Sequence, residues 1–313
     1  MAHIIIKPGW HIPERLVTPE HAVLDRRRFL KQMGFTGGAL AALAGGGALA
    51  NAAKKGYPYP RNMVFSPPGK LSDERTAATY NNFYEFSTTK DRVHELVGPF
   101  VVSPWSIEIG GLVEKPMKID VAELIDTMPM EERVYRFRCV EAWAMVVPWT
   151  GFPLKKLIEK VQPKPEAKFV KFQTAFRPNQ MPGTARLRSY PWPYTEGLRM
   201  DEAMNDLTLV TTGIFGKPLP KQHGAPIRIV VPWKYGYKSI KSVDKIEFVA
   251  TQPKTLWETL APDEYPFESN VDPRVPHPRW SQATERMIDS GDRVRTQLYN
   301  GYGDYVAKLY QKR

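Results

Sequence analysis

Trp105, Ile107 and Ile109 alternate with Ser106 and Glu108 ahead of the pair Gly110-Gly111. That period of two predicts a half-buried strand ending at the glycines. Leu154, Leu157, Ile158 and Val161 recur at helical spacing and predict a helix over 154–161. Asp120 is placed to cap a short helix running through Leu124-Ile125 and stopping near Pro129. Residues 133–140 predict a strand leading directly into Cys139, and 169–172, 227–231 and 246–249 are further strand candidates. Residues 78–86 are aromatic around two adjacent amides and suit a functional loop or a short strand, while one or two helices are expected after Thr255. Short strands and helices mix without a βαβ rhythm, so the expected fold class is α+β.

Composition adds constraints. The chain has 313 residues with 29 Pro and 22 Gly, which suits a loop-rich fold better than a helical bundle. Its formal net charge is +11. A basic surface of this kind suits nucleic acid, an anionic membrane surface or an anionic ligand. No zinc-finger spacing, arginine-rich tract or RNA-binding signature supports nucleic acid, so the expectation is solvation plus a local anion site.

The first 53 residues have their own logic. Arg26-Arg27-Arg28-Phe29-Leu30-Lys31 precedes a Gly/Ala-rich, weakly apolar run from Gly34 to Ala50. Two small-x-small triplets follow, Ala48-Leu49-Ala50 and Ala50-Asn51-Ala52. This is the order of a cleavable signal peptide with a twin-arginine core, with Asp25 where Ser or Thr is usual. The run is too short and too rich in glycine for a membrane span. We therefore expect residues 1–53 to be a leader cleaved near 50–53, and residues 54–313 to form a single soluble domain exported folded to the periplasm. Export of folded chains commonly serves a cofactor inserted beforehand.

One cysteine cannot form an internal disulfide, and only His94, His223 and His277 lie beyond the leader. H-E-x-x-H, C-x-x-C, phosphate-loop and G-x-S-x-G motifs are all absent. Cys139, in Arg136-Phe137-Arg138-Cys139-Val140-Glu141-Ala142-Trp143, has three readings: a buried structural thiol, a ligand to a soft metal, or a nucleophile served by a distant histidine. Arg136 and Arg138 flank it and are expected to depress its pKa. A second cluster, His223 to Lys241, carries a strand and then a Pro/Gly-punctuated loop with three lysines. Arg228 and Lys241 suit a phosphate, as a fork and a point charge, and a solvated lysine face is the alternative.

Five stretches together resemble one family. They are Tyr80-Asn81-Asn82-Phe83-Tyr84-Glu85-Phe86, Arg138-Cys139-Val140-Glu141-Ala142-Trp143, Gly224-Ala225-Pro226-Ile227-Arg228, Trp233-Lys234-Tyr235-Gly236-Tyr237-Lys238 and His277-Pro278-Arg279-Trp280-Ser281. They look like the molybdopterin-binding catalytic subunits of the periplasmic protein-methionine-sulfoxide reductases, in the sulfite oxidase superfamily. The resemblance implies a sulfite-oxidase-type α+β fold without the immunoglobulin-like dimerisation domain, holding one mononuclear molybdenum as Mo-molybdopterin. Cys139 would be the protein's metal ligand and catalytic residue. Asn81, Tyr84, Glu85, Thr174, His223, Arg228, Ser239, Ile240 and Lys241 would contact the pterin, with His223 where some relatives have Asn.

The implied activity is reduction of methionine sulfoxide in oxidised periplasmic proteins by a monomeric catalytic subunit. Electrons would come from a haem-containing membrane subunit linked to the quinol pool. Sulfite oxidation is the competing enzyme reading. Sulfite oxidases usually carry a small Gly two residues after the ligand cysteine, where Glu141 stands here, and an inward carboxylate would repel sulfite. A cofactor-free exported binding protein with a structural Cys139 is the reading from a different class.

Overall fold

In a computed structural model the protein is described over residues 56–66 and 70–311, so the leader expected at 1–53 lies outside the described residues. The strands are β1 (Ser106–Gly111), β2 (Met117–Asp120), β3 (Glu131–Arg138), β4 (Trp143–Pro153), β5 (Phe169–Thr174) and β6 (Thr195–Arg199). They continue as β7 (Leu209–Ile214), β8 (Lys217–Pro218), β9 (Arg228–Val230), β10 (Val243–Val249), β11 (Thr284–Met287) and β12 (Arg293–Arg295). One sheet has the order β2-β1-β10-β5-β6, with β1 and β10 parallel and its other pairs antiparallel. The other runs β12-β11-β4-β7-β8, with β3 also on β4 and β9 also on β7. This is the mixed α+β architecture the patterning predicts.

Local chemistry explains several elements. Asp120 accepts a hydrogen bond from Ala122 N at 2.8 Å and starts the helix Val121–Thr127, as expected of a cap. The helix Leu154–Val161 buries Leu154, Leu157, Ile158 and Val161 on one face and ends at Gln162 in a left-handed conformation. β1 keeps the predicted alternation, with Ile107 and Ile109 buried.

Other elements escape local patterning. β4 is buried almost throughout, so it shows no period of two. It bulges between Thr150 and Gly151, where β7 comes so close that a Cβ on Gly151 would lie 2.0 Å from Val210 O. Residues 78–86 are the end of the helix Glu74–Thr79 followed by a loop. After Thr255 the helix Leu256–Leu260 and the turn of helix Gly303–Val306 are accompanied by β11 and β12, which were not foreseen. Thr-Glu-Arg-Met and Arg-Val-Arg carry no apolar alternation, because the buried position of β11 is the acid Glu285. Among the described residues no helix is long and apolar enough to cross a membrane.

Candidate active site

β3 ends at Arg138 and β4 begins at Trp143, so residues 139–142 form the connecting turn. Cys139 N donates to Trp143 O at 2.9 Å, Ala142 N donates to Cys139 O at 3.2 Å, and Ala142 takes a φ of 61° to close the turn. Side chains alternate along β3, so Phe137 and Cys139 share one face and Arg136 and Arg138 share the other. The first pair lines a cleft. The second pair turns away to one buried carboxylate, Glu285, with Arg138 Nε at 2.9 Å from Oε2 and Arg136 Nη2 on Oε1. The expectation that these arginines depress the Cys139 thiol is therefore overturned. Burial, then the charge of Glu141, pushes the thiol up to about 12 against the weaker pull of Arg138 and Lys90. A thiol in such a place becomes a thiolate when a metal binds it.

Glu141 faces the same cleft. Its Oε2 lies 3.6 Å from Cys139 Sγ, and Asn82 Nδ2 donates to both, at 3.0 Å to Oε2 and 3.3 Å to Sγ. Lys90 Nζ sits 3.0 Å from Oε1. Burial opposes the charge on Glu141, but Asn82 and Lys90 outweigh it and hold the carboxyl below its usual range. Asn82 and Lys90 were missed from the sequence. The adjacent amides were a signal, yet only Asn81 was singled out.

One part of the cleft is cationic. β9 and the segment after it bring Arg228, Ser239, Ile240 and Lys241 together with His223 and, from β5, Thr174. Arg228 is buried and donates to His223 O at 2.9 Å and Ser239 O at 2.7 Å, and its guanidinium lies 5.0 Å from the centre of the Trp149 ring. No carboxylate pairs with it among the described residues, and burial drops its pKa to about 9. Burial, with Arg228 adding to it, lowers the Lys241 pKa, burial raises that of Glu85, and the attraction between the two opposes both shifts. Thr174 Oγ1 donates to Lys241 O at 2.8 Å. Gly224 takes a φ of +94° where an added Cβ would meet Lys241 Cβ at 2.6 Å, so only glycine lets Lys241 pack there.

The three lysines of this region divide. Lys234 pairs with Glu202 and Lys238 with Glu196, each at 2.6 Å with both side chains buried. Neither lines the cleft, which leaves Lys241 as the lysine of the three that does. The solvated-face alternative fails for all three.

Cys139, Asn81, Tyr84, Glu85, Thr174, His223, Arg228, Ser239, Ile240 and Lys241, drawn from distant parts of the chain, all line this one cleft of ≈ 920 Å³ counted out to its open mouth. Its aromatic lining takes Tyr84, Trp143 and Tyr237 from the motifs, and adds Trp257 and Tyr265, which the sequence does not single out. Trp257 packs edge-on against Tyr84 at 5.2 Å and lies 5.1 Å from Tyr265, while Tyr80 meets Trp143 at 5.2 Å.

The residues suit an anionic cofactor that brings a metal. Arg228, a buried cation with no carboxylate partner among the described residues, lines the cleft together with the Cys139 thiol, and Asn81 Oδ1 and Asn82 Oδ1 are buried without a hydrogen-bond partner. Among the described residues no group of three or more His, Cys, Asp or Glu is placed to hold a metal, so a metal here needs ligands from its cofactor.

Comparison with known proteins agrees. Residues 95–257 match the family described as oxidoreductase molybdopterin binding domain. The protein-methionine-sulfoxide reductase catalytic subunit MsrP of Burkholderia mallei is 47% identical over 97% of this chain and 94% of its own. The subunit of the same name from Xanthomonas axonopodis pv. citri is 46% identical over 96% and 95%. Among solved structures, the sulfane dehydrogenase SoxCD of Paracoccus pantotrophus aligns with a TM-score of 0.43 and 20% identity. That alignment covers 64% of this chain and 47% of the other, too loose a likeness to carry an argument. The cofactor that goes with this domain is Mo-molybdopterin. The chain belongs to the molybdopterin-binding oxidoreductases and, within them, to the protein-methionine-sulfoxide reductase catalytic subunits.

Proposed function

We propose that the protein reduces methionine sulfoxide in oxidised envelope proteins to methionine, taking up two electrons and two protons and releasing water. One observation carries the choice of substrate: the ionised Glu141 carboxylate 3.6 Å from Cys139 Sγ. Sulfite is a dianion near its reactive sulfur, whereas a sulfoxide is neutral. The Glu141 carboxylate therefore opposes the approach of a sulfite anion, an effect Lys90 offsets in part, and leaves a neutral sulfoxide unopposed.

In this reading Cys139 ligates the molybdenum, which when bound supplies the two-electron chemistry of oxygen removal. Arg228 and Lys241 hold the pterin phosphate, and Asn81, Tyr84, Glu85, Thr174, His223, Ser239 and Ile240 form the rest of the cradle. The wall of Tyr84, Trp257 and Tyr265 shields the site from water and offers an apolar face to the methionine side chain. Lys90 and Asn82 keep Glu141 ionised and turned toward Cys139.

The chain carries no second redox motif, so its electrons come from a partner, a haem-bearing membrane subunit drawing on the quinol pool. It works in the periplasm after twin-arginine export, where repair of oxidised methionine restores apolar surfaces. The deciding assay follows oxidation of reduced viologen by methionine sulfoxide beside ferricyanide reduction by sulfite. Activity in the first assay is expected, and activity confined to the second would overturn this reading.

A further inference from the structure

The turn carrying Cys139 is held from outside the cleft by a segment some 140 residues away in sequence. Val140 O accepts two hydrogen bonds, from Gln282 Nε2 at 2.7 Å and from Trp280 Nε1 at 2.8 Å. Ala142 O accepts from Arg286 N at 2.9 Å. Cys139 O accepts from Arg138 Nη1, whose guanidinium also donates from Nη2 to Gln282 Oε1 at 2.7 Å and pairs through Nε with Glu285. Arg138, Gln282 and Glu285 are all buried.

Gln282 is the joint of this arrangement. Its carbonyl oxygen accepts a hydrogen bond from the arginine that grips Cys139 O, while its amide nitrogen donates to the next carbonyl along the chain. One neutral side chain therefore ties two successive peptide groups of the turn to each other and to β11. Only an amide of this length does both at once, because it needs an acceptor and a donor on the same terminal carbon.

We propose that Gln282 is a positioning residue for the metal ligand: through Arg138 and the Val140 carbonyl it sets the direction in which Cys139 presents its sulfur. The inference rests on the reading of Cys139 as the molybdenum ligand. Groups that orient a ligand from behind commonly govern activity as much as the ligand's own surroundings do, about 10–100-fold on removal.

The test uses molybdenum-loaded, exported enzyme and the variant Gln282→Met, which keeps the length and removes both hydrogen bonds. Molybdenum content, thermal midpoint, the sulfur-to-molybdenum charge-transfer band and the reduction potential are measured together with kcat and KM. The expected result is a loaded protein whose band and potential are shifted, with kcat reduced about tenfold and KM unchanged. Loss of molybdenum from a folded Gln282→Met protein also supports the proposal. A loaded variant whose band and potential match wild type overturns it. Should Gln282→Met not fold, Gln282→Glu keeps an acceptor for Arg138 and removes the donor to Val140 O, and it is judged by the same band and potential. The ligand reading fails separately, if wild type lacks the band or Cys139→Ala retains it.

Discussion

Lys90 Nζ pairs with Glu141 Oε1 at 3.0 Å while Glu141 Oε2 stands 3.6 Å from Cys139 Sγ, so a lysine from the 87–92 loop fixes the acid that faces the candidate metal ligand. The carboxylate is ionised and directed, and its charge acts on whatever approaches that sulfur. Replacing Glu141 by Gln keeps the shape and removes the charge. We expect kcat/KM for sulfite to rise at least tenfold relative to that for methionine sulfoxide. Steady-state kinetics with both substrates checks this, and an unchanged ratio would remove Glu141 as the discriminating group.

Arg228 is a buried cation without an acid partner among the described residues. Arg228→Met should produce folded protein with molybdenum and pterin well below one per chain. Arg228→Lys should not restore them, since an ammonium cannot span His223 O, Ser239 O and a phosphate together. Metal and pterin analysis decides, with the thermal midpoint taken on the same samples. A full complement in Arg228→Met would place the anion elsewhere.

His223 is held neutral, its pKa pushed to about 3 by burial and then by Arg228 and Lys241, against an ordinary 6.5. Between those values the unfolded chain binds a proton that the folded chain refuses, so stability falls as pH drops. The loss reaches about 1.4 kcal/mol per pH unit, or about 2 kcal/mol at pH 5. Urea unfolding of the cofactor-free protein at pH 7 and pH 5 should show this acid loss reduced by that amount in His223→Asn. Equal losses in the two proteins would contradict it.

The Lys238–Glu196 pair is buried on both sides. Lys238→Met strands a carboxylate, and a loss of about 3–5 kcal/mol is expected. Adding Glu196→Gln should recover most of it. Denaturant midpoints report the recovery, and the double variant should retain its molybdenum, since neither residue lines the cleft. Loss of cofactor from a stable double variant would give Lys238 a part in the anion site.

The proposed twin-arginine export depends on Arg26-Arg27. Replacing both by lysine should leave the precursor in the cytoplasm, read by cell fractionation. Normal periplasmic delivery of that variant would exclude the twin-arginine route.

Local chemistry was enough for Asp120, for Leu154–Val161 and for β1, because a cap, a helical period and a strand alternation each act within a few residues. The Cys139, Arg228 and Tyr80–Glu85 motifs were equally legible, since their residue types and order are properties of the chain itself. β11 was not, because its buried position is an acid whose partners, Arg136 and Arg138, lie in β3.

The same division runs through the cleft. From the sequence alone followed the α+β class, the solitary thiol, the cationic cluster and the family they belong to. Tertiary structure alone decided which of Lys234, Lys238 and Lys241 meets the cleft, which acid Arg136 and Arg138 pair with, and that Asn82, Lys90, Trp257 and Tyr265 join the site. Each of those outcomes is set by which distant group neutralises a buried charge or packs against a ring. Burying an unpaired charge costs so much that the long-range partner dictates where the side chain points, and no local pattern records that partner.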